Sequence, residues 1–330
     1  MVRAVMRRRA LTIGPTLLCS LAAILILAGC NGSRKKVIGV VPKGTSHLFW
    51  VSVQAGAMAA GHDLGVEVLW NGPATETEYS RQIEIVDSMI ARHVDGLALA
   101  AQDRTALDAS LDRAARAGIP VTVFDSGVDS TNYMTFVATN NYAAGQLAAR
   151  KLAELLHGQG KIAMVLHVPG SSSTMERERG FEDTVTKDFP QIHILQKQYG
   201  MSDRSKAMSA AENILTAHPD LDGMFASTEP SSVGTALALK SRGLAGKIKF
   251  VAFDASEDMV RDLREGTIDA LVAQDPFRIG YEAVRTLVDK LHGKTPPKRI
   301  DLSARVITRP DLESPEIKAL LNPDVKKYLN

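Results

Sequence analysis

Cysteine is almost absent from this sequence: 330 residues contain only Cys19 and Cys30. Cys19 lies within an apolar N-terminal run and Cys30 directly follows that run, so the chain beyond Cys30 has no thiol. A disulfide framework and a cysteine metal site are therefore excluded for the remainder of the chain. Its stability must come from a buried apolar core.

Acidic residues are absent before Cys30, where four arginines stand at positions 3, 7, 8 and 9. An apolar run over residues 17–28 follows these arginines. A basic start followed by a short apolar run is typical of a secretory signal peptide. The run is shorter than the roughly 20 apolar residues of a transmembrane helix, so we expect cleavage and not a membrane span.

The sequence LAGC at residues 27–30 closely resembles the bacterial lipoprotein box. In such proteins a diacylglycerol is attached to the cysteine, which becomes the N-terminus after cleavage. The resemblance implies a signal peptide over residues 1–29, a lipid on Cys30 and a tether over residues 30–35. The alternative is an ordinary buried cysteine at the end of a hydrophobic helix. RRRAL loosely resembles a twin-arginine signal, so both export routes stay open.

Runs of lysine or arginine are also missing beyond the signal. Removing residues 1–29 removes four arginines and no acid, so the formal net charge falls from +2 to −2. A nearly neutral chain without a basic patch argues against nucleic-acid binding. The remaining length, about 300 residues, exceeds one ordinary core, and two lobes are expected.

Catalytic motifs are absent as well. The sequence contains no GxGxxG or Walker phosphate loop, no GxSxG elbow and no HExxH pair, and its histidines are scattered. GSSST at residues 170–174 has the wrong glycine spacing for a phosphate loop and is typical of a helix cap. We therefore expect no catalytic residues, no metal and no cofactor.

From Lys36 onward, short β-branched apolar runs alternate with amphipathic helical patterns. Such alternation predicts a parallel sheet covered by helices on both faces. It runs from KVIGVV to TFVATNNY, restarts with a helix over residues 142–157, and continues to IKFVAFD. The sequence therefore predicts an α/β protein with two doubly wound parallel-sheet lobes and a cleft between them.

Polar segments follow several of the predicted strands: TSHLFW, FDSG, GSSSTMERERGF, FASTEPSSVG, AFDASED and VAQDPF. Ligands of open parallel sheets bind beyond the carboxyl ends of the strands. In combination, these segments resemble a periplasmic sugar-binding protein of the ribose-binding type, the solute receptor of an ABC importer. The resemblance covers nearly the whole chain after the signal. It implies the periplasmic binding protein-like I fold, whose cleft closes on one monosaccharide, a pentose or hexose.

The resemblance implies ligand-binding roles for ten residues: His47, Phe49, Trp50, Asp125, Ser126, Arg177, Thr228, Glu229, Asp254 and Gln274. An aromatic ring can cover the apolar C–H face of a sugar. A carboxylate accepts hydrogen bonds from adjacent hydroxyls, and a planar guanidinium donates to two oxygens at once. Arg179 is the alternative to Arg177.

Three positions depart from the pattern of the ribose receptor. Ser126 stands where an arginine usually follows the aspartate, and Thr228 with Glu229 replaces an asparagine followed by an acid. GMSDR offers only Met201 and Ser202 where the family has an aromatic ligand. The first two departures concern hydroxyl selectivity and point away from ribose, and the third implies that one stacking wall is missing.

The resemblance also implies three crossings between the lobes, near residues 139–140, 274–275 and 298–301. The first lobe is then residues 36–139 with 275–298, the second is 140–274 with 301–309, and residues 310–330 form a tail. A lipid-anchored, extracytoplasmic monomer that hands its sugar to an ABC permease is expected. Alternatives are a sensory sugar receptor, a glycosidase using Asp125 and Asp254, and the sugar-responsive domain of a lactose-repressor-type regulator.

Overall fold

The computed structural model describes residue 2 and residues 34–329. Cys30 and, apart from residue 2, the predicted signal peptide lie outside the described residues. Residues 36–330 group into one compact unit, separate from residues 1–35. The architecture below is that of the larger unit.

The strands of this unit are β1 (Val37–Val41), β2 (Glu67–Trp70), β3 (Gly96–Leu99), β4 (Val121–Phe124), β5 (Thr135–Thr139), β6 (Gln159–Leu166), β7 (Gln191–Tyr199), β8 (Gly223–Ala226), β9 (Lys249–Phe253), β10 (Ala270–Ala273), β11 (Arg299–Leu302) and β12 (Arg305–Ile307). The α-helices are α1 (Leu48–Asp63), α2 (Tyr79–Ala91), α3 (Asp108–Arg116), α4 (Asn141–Leu155), α5 (Ser172–Asp188), α6 (Arg204–Ala217), α7 (Glu229–Ser241), α8 (Glu257–Glu265), α9 (Pro276–Leu291), α10 (Pro315–Leu321) and α11 (Lys326–Leu329). A 3₁₀ helix spans Arg309–Glu313.

Two six-stranded sheets form the two lobes. The first sheet has the order β11-β5-β4-β3-β1-β2 and is parallel throughout. The second has the order β12-β10-β9-β8-β6-β7, with only β12 antiparallel to its neighbour. Every residue of β3, β4, β8 and β10 is buried, as expected for strands covered on both faces. The prediction of two doubly wound lobes is confirmed.

Helices α4 and α5 pack closely on one face of the second sheet. A methyl group on Gly145 of α4 would lie 1.9 Å from the backbone oxygen of Arg177, and one on Gly180 would lie 2.1 Å from that of Tyr142. Only glycine permits this approach of the two backbones. This close contact holds the backbone of Arg177 against α4.

The chain passes from the first sheet to the second after β5, returns after β10 and passes again between β11 and β12. The last passage lies later than predicted, because Arg299–Leu302 pairs with Phe136–Thr139 in the first sheet. Residues 301 and 302 therefore belong to the first lobe. The residues around this passage form two short strands separated by residues 303–304.

The residues predicted to form a C-terminal tail are folded onto both lobes. Leu312 and Ile317 are buried in the core of the second lobe. Helix α11 packs against α1 of the first lobe, and the ring of its Tyr328 lies 5.8 Å from that of Phe277 in α9. Among the described residues, no helix is long and apolar enough to cross a membrane.

Candidate functional site

The carboxyl ends of the strands from both lobes face each other across a small closed cleft. The cleft encloses a cavity of about 30 Å³. Nine of the ten predicted residues line the cavity: His47, Phe49, Trp50, Asp125, Arg177, Thr228, Glu229, Asp254 and Gln274. Ser126 is fully buried and accepts a hydrogen bond from the backbone of Ser173 at 3.3 Å.

Asp125 and Asp254 occupy equivalent places in the two lobes. Each directly follows a strand that ends in phenylalanine, Phe124 of β4 and Phe253 of β9. Both aspartates have positive φ, 55° and 69°, a left-handed backbone conformation that is sterically unfavourable for residues with a Cβ atom. Aspartate tolerates it better than most residues, and such strained positions concentrate at functional sites. The turn presents one carboxylate from each lobe to the cavity.

Asp254 organises its neighbours in the second lobe. It accepts a hydrogen bond from the backbone nitrogen of Glu229 at 3.0 Å and one from Nε2 of Gln274 at 2.7 Å. The amide of Gln274 is thereby oriented with its Oε1 free of protein partners. These three residues form one polar network on the cavity wall.

The Arg177 side chain is only 2% exposed. Its guanidinium lies 3.5 Å from the centre of the Phe253 ring and donates to the backbone oxygen of Ser227 and, at 2.7 Å, to Oδ1 of Asn141. Burial lowers the pKa of Arg177, but an arginine stays protonated in proteins. Arg179, the alternative, is exposed and pairs with Glu176 at 2.7 Å. The geometry therefore places Arg177 and not Arg179 in the cleft.

The aromatic wall of the cavity comes from the start of α1. Trp50 is buried, with its ring edge-on to Phe49 at 4.9 Å and to Phe124 at 6.4 Å. Its indole Nε1 donates to Oε1 of Glu76 at 2.8 Å. This bond fixes the ring plane against the cavity.

Sequence reasoning missed three charged or titratable residues of the cavity wall: Lys43, Glu76 and His167. The ammonium of Lys43 lies 3.3 Å from a carboxylate oxygen of Glu76 and 3.3 Å from one of Asp125. Nε2 of His167 lies 3.1 Å from Glu76 across the cleft. They lie in the segments that follow β1, β2 and β6, where no local pattern marks them as buried.

Electrostatics keep Lys43 and Glu76 charged although both are buried. Burial opposes protonation of Lys43, but Glu76 and Asp125 outweigh it and raise the Lys43 pKa above 10.5. Burial opposes ionisation of Glu76, yet Lys43 and His167 hold the pKa of that carboxyl well below 4.5. Burial raises the pKa of Asp125 in spite of Lys43. The lysine is therefore a buried ammonium between two carboxyl groups.

Hydrogen bonds between side chains join the two lobes across the cleft. Lys43 donates to the hydroxyls of Ser171 and Ser173 at 3.3 and 3.4 Å. His47 lies 3.1 Å from the hydroxyl of Ser202. Together with the His167 contact described above, these bonds stabilise the closed arrangement.

Four buried polar atoms on the cavity wall have no hydrogen-bond partner among the described residues. Three are acceptors, Oδ2 of Asp125, Oε2 of Glu229 and Oε1 of Gln274, and one is a donor, Nε of Arg177. Lys43 lies near Asp125 but not in hydrogen-bonding geometry. A buried unpaired polar group costs about 1 to 3 kcal/mol. The cavity therefore suits a ligand with several hydroxyl groups, and no residues of the described chain form a metal-binding cluster.

A buried carboxyl behind the cavity gives a pH-dependent prediction. Glu178 accepts hydrogen bonds from the backbone of His167 at 3.0 Å and from Ser227 at 2.7 Å, and burial raises its pKa from 4.5 to about 7. Between pH 4.5 and about pH 7, the Glu178 carboxyl is mostly ionised in the unfolded chain and mostly protonated in the folded chain. The free energy of unfolding therefore falls as pH rises through this window, by up to about 3 kcal/mol.

The Glu178→Gln variant keeps an acceptor oxygen and cannot ionise, so it should lack this decline. Urea unfolding of both proteins at a series of pH values measures it. The free energy of unfolding of the variant should increase relative to that of the wild type as pH rises from about 4.5 to about 7. Parallel pH profiles of the two proteins would refute the raised pKa.

Sequence similarity relates the chain to a known protein family. The profile of the family described as periplasmic binding protein domain matches residues 38–295. The chain is 29% identical over 280 residues to the ribose import binding protein RbsB of Bacillus subtilis, covering 84% of this chain and 90% of the relative. It is 27% identical to the D-ribose/D-allose-binding protein of Pseudomonas aeruginosa, over 85% and 93% of the two chains.

Solved structures show the same likeness. A carbohydrate transporter solute-binding protein of Agrobacterium radiobacter in complex with D-arabinose has a TM-score of 0.85 and 29% identity, covering 88% of this chain and 100% of that one. An ABC transporter solute-binding protein of Agrobacterium vitis with bound D-fucose has a TM-score of 0.84 and 33% identity, covering 87% of this chain and 100% of that one. The similarity extends across both lobes.

Proposed function

The chain belongs to the periplasmic binding protein domain family, and from this we propose that it captures a pentose or hexose between its lobes and delivers it to an ABC importer. The family and the relatives named above are binding proteins of transport systems, not enzymes. A periplasmic or cell-surface location follows from the family. We propose that the protein works as a monomer.

The observation that carries this proposal is the set of buried polar atoms of the wall residues that make no hydrogen bond to the described part of the chain, although Lys43 lies within ion-pair distance of the one on Asp125. One acceptor comes from the first lobe, at Asp125, and two acceptors and a donor come from the second. A monosaccharide has several hydroxyls close together, each able to donate and to accept. Only a ligand that contacts both lobes can satisfy all four atoms at once.

The aromatic wall supports a sugar ring as the ligand. Phe49 and Trp50 offer apolar surface beside the polar groups, which matches the alternating apolar and polar faces of a pyranose or furanose. Met201 replaces the second stacking residue of the ribose-type pattern. We therefore propose that one face of the ring is stacked and the other is bound mainly by hydrogen bonds.

Opening of the cleft about the three chain passages is part of the proposal. A sugar enters the cleft only when the lobes part, which breaks the inter-lobe bonds of Lys43, His47 and His167. A sugar that contacts both lobes has its higher affinity for the closed state and shifts the population toward it. A few residues at the ends of elements can absorb the backbone change.

A thermal-shift screen tests the function. The panel contains the sugars bound by the relatives, D-ribose, D-allose, D-arabinose and D-fucose, with glycerol as a hydroxyl-rich control. A ligand at 100 times its dissociation constant should stabilise the folded state by about 2.7 kcal/mol. Absence of a shift with every pentose and hexose would refute the proposal. Formation of a product in the same samples would instead favour the glycosidase alternative.

We also propose that Cys30 carries a lipid anchor, supported by the basic start, the apolar run and LAGC in that order. Mass spectrometry of the membrane fraction should find an acylated cysteine as the N-terminal residue. A Cys30→Ala variant should lose the acyl modification. A protein that still carries residues 1–29, or an unmodified Cys30, would contradict this proposal.

A further inference from the structure

Lys43 is an unusual occupant of a sugar cleft. Its side chain is 5% exposed, and its ammonium lies between the carboxyl groups of Glu76 and Asp125 at 3.3 Å from each. Lysine is almost never buried to this degree unless it is paired. The same ammonium also reaches the hydroxyls of Ser171 and Ser173 in the other lobe. Lys43 is therefore held by groups on both sides of the cleft.

Each charged side chain of the cavity wall lies near a group of opposite charge. Glu229 is paired with Arg204, and Asp254 stabilises the charge of Arg177. Glu76 and Asp125 share the single ammonium of Lys43. When Arg204, which lies outside the lining, is counted with Glu229, the formal excess of one negative charge belongs to the three groups centred on Lys43. His47 and His167 are the remaining titratable groups facing them.

Two classes of charged ligand meet opposition from this arrangement. A sugar acid adds a negative charge to a wall that already has an excess of carboxylates and no cation without a partner among the described lining residues. An amino sugar brings an ammonium to carboxyl groups that already hold one, and like charges at this separation repel strongly where water is excluded. An uncharged sugar incurs neither cost.

On the basis of the proposed function, we infer that Lys43 is a specificity-determining residue that restricts the cleft to uncharged sugars by occupying the carboxyl pair of Glu76 and Asp125. Without Lys43, this pair becomes a buried site of negative charge that lacks its counter-ion. An uncompensated buried charge is strongly unfavourable. A ligand ammonium then supplies the missing cation, so removal of Lys43 turns rejection of amino sugars into preference for them.

The test compares D-galactose with D-galacturonate and D-galactosamine, and D-glucose with D-glucuronate and D-glucosamine. D-fucose, bound by one structural neighbour, is the deoxy form of D-galactose. Thermal shifts and calorimetric affinities are measured for the full chain at a pH that keeps the amines protonated. The wild type should bind the neutral sugar of a series at least about tenfold more tightly than either charged form.

The Lys43→Met variant keeps an apolar stem of similar length and should reverse the order of neutral and amino sugar. We expect the ratio of their affinities to move by on the order of 100-fold toward the amino sugar, which reverses a roughly tenfold preference for the neutral sugar. Adding Glu76→Gln to this variant removes one carboxylate and should reduce the gain. Lys36→Met is the matched control, because Lys36 begins the same strand region but is exposed, and it should leave every ratio unchanged.

A Lys43→Met variant that is folded but gains no preference for amino sugars would overturn the inference. If that variant does not fold, Lys43→Arg and the wild type decide, since both should reject the sugar acid and the amino sugar. A wild type that binds a sugar acid as tightly as the neutral sugar would also overturn it. Failure of the wild type to bind any sugar in the thermal-shift screen is a different outcome and refutes the proposed function itself.

Discussion

Replacing Arg177 with methionine is expected to abolish sugar binding and to lower the free energy of unfolding by about 3 to 5 kcal/mol. The change leaves the backbone oxygen of Ser227 and Oδ1 of Asn141 without their donor, and it removes the charge that balances Asp254. It also removes the donor Nε that faces the cavity. Calorimetric titration and urea unfolding measure the two losses.

The control for this prediction is Arg179→Met. Arg179 lies on the same helix and is exposed, where it forms a surface ion pair with Glu176 and lies 5.2 Å from the centre of the Tyr142 ring. Exposed substitutions of this kind usually change stability by less than about 0.5 kcal/mol. Arg177→Lys keeps the charge without the planar fork and should bind sugar weakly in a folded protein. Equal sugar affinity of wild type, Arg177→Lys and Arg177→Met would contradict the role given to this residue.

Replacing Asp254 with alanine is expected to weaken sugar binding roughly 5- to 150-fold. The backbone nitrogen of Glu229 and Nε2 of Gln274 lose their acceptor, and the amide of Gln274 is no longer held toward the cavity. Because Asp254 has a φ of 69°, alanine adds backbone strain. Asp254→Asn tolerates the same backbone and separates the loss of charge from that strain.

Asp258→Ala is the matched control for the aspartate. Asp258 lies four residues further, in the first turn of α8, where it is half exposed and pairs with Arg261. Calorimetry with the sugar that stabilises the wild type most should show an affinity for Asp258→Ala close to that of the wild type. Undiminished affinity of both Asp254 variants would contradict the assignment.

The architecture and half of the polar site followed from local sequence patterns. Runs such as VTVF and FVAF are apolar throughout because their strands are covered on both faces, and this distinguishes them from half-exposed strands. The rule that ligands bind beyond the carboxyl ends of parallel strands selects the segments FDSG and AFDASED, in which the family resemblance implies Asp125 and Asp254. Both inferences need only the order of residues along the chain.

The remaining features depend on tertiary contacts that no local pattern encodes. Lys43, Glu76 and His167 come from three loops of two lobes, and a lysine in a sequence is ordinarily exposed. Only the meeting of the loops buries them. The break at residues 303–304 escaped for a similar reason, since the strands beside it differ in the sheet they join and not in composition.

The central claim, that a sugar binds between the lobes against Trp50, is tested most directly by a fluorescence titration of the Trp70→Phe variant. The sequence contains two tryptophans, so Trp50 is the only indole left in that variant. The sugar selected by the thermal-shift screen should change the Trp50 emission in a saturable manner, with the dissociation constant found by calorimetry. Unchanged Trp50 emission at sugar concentrations that saturate the calorimetric signal would contradict the claim.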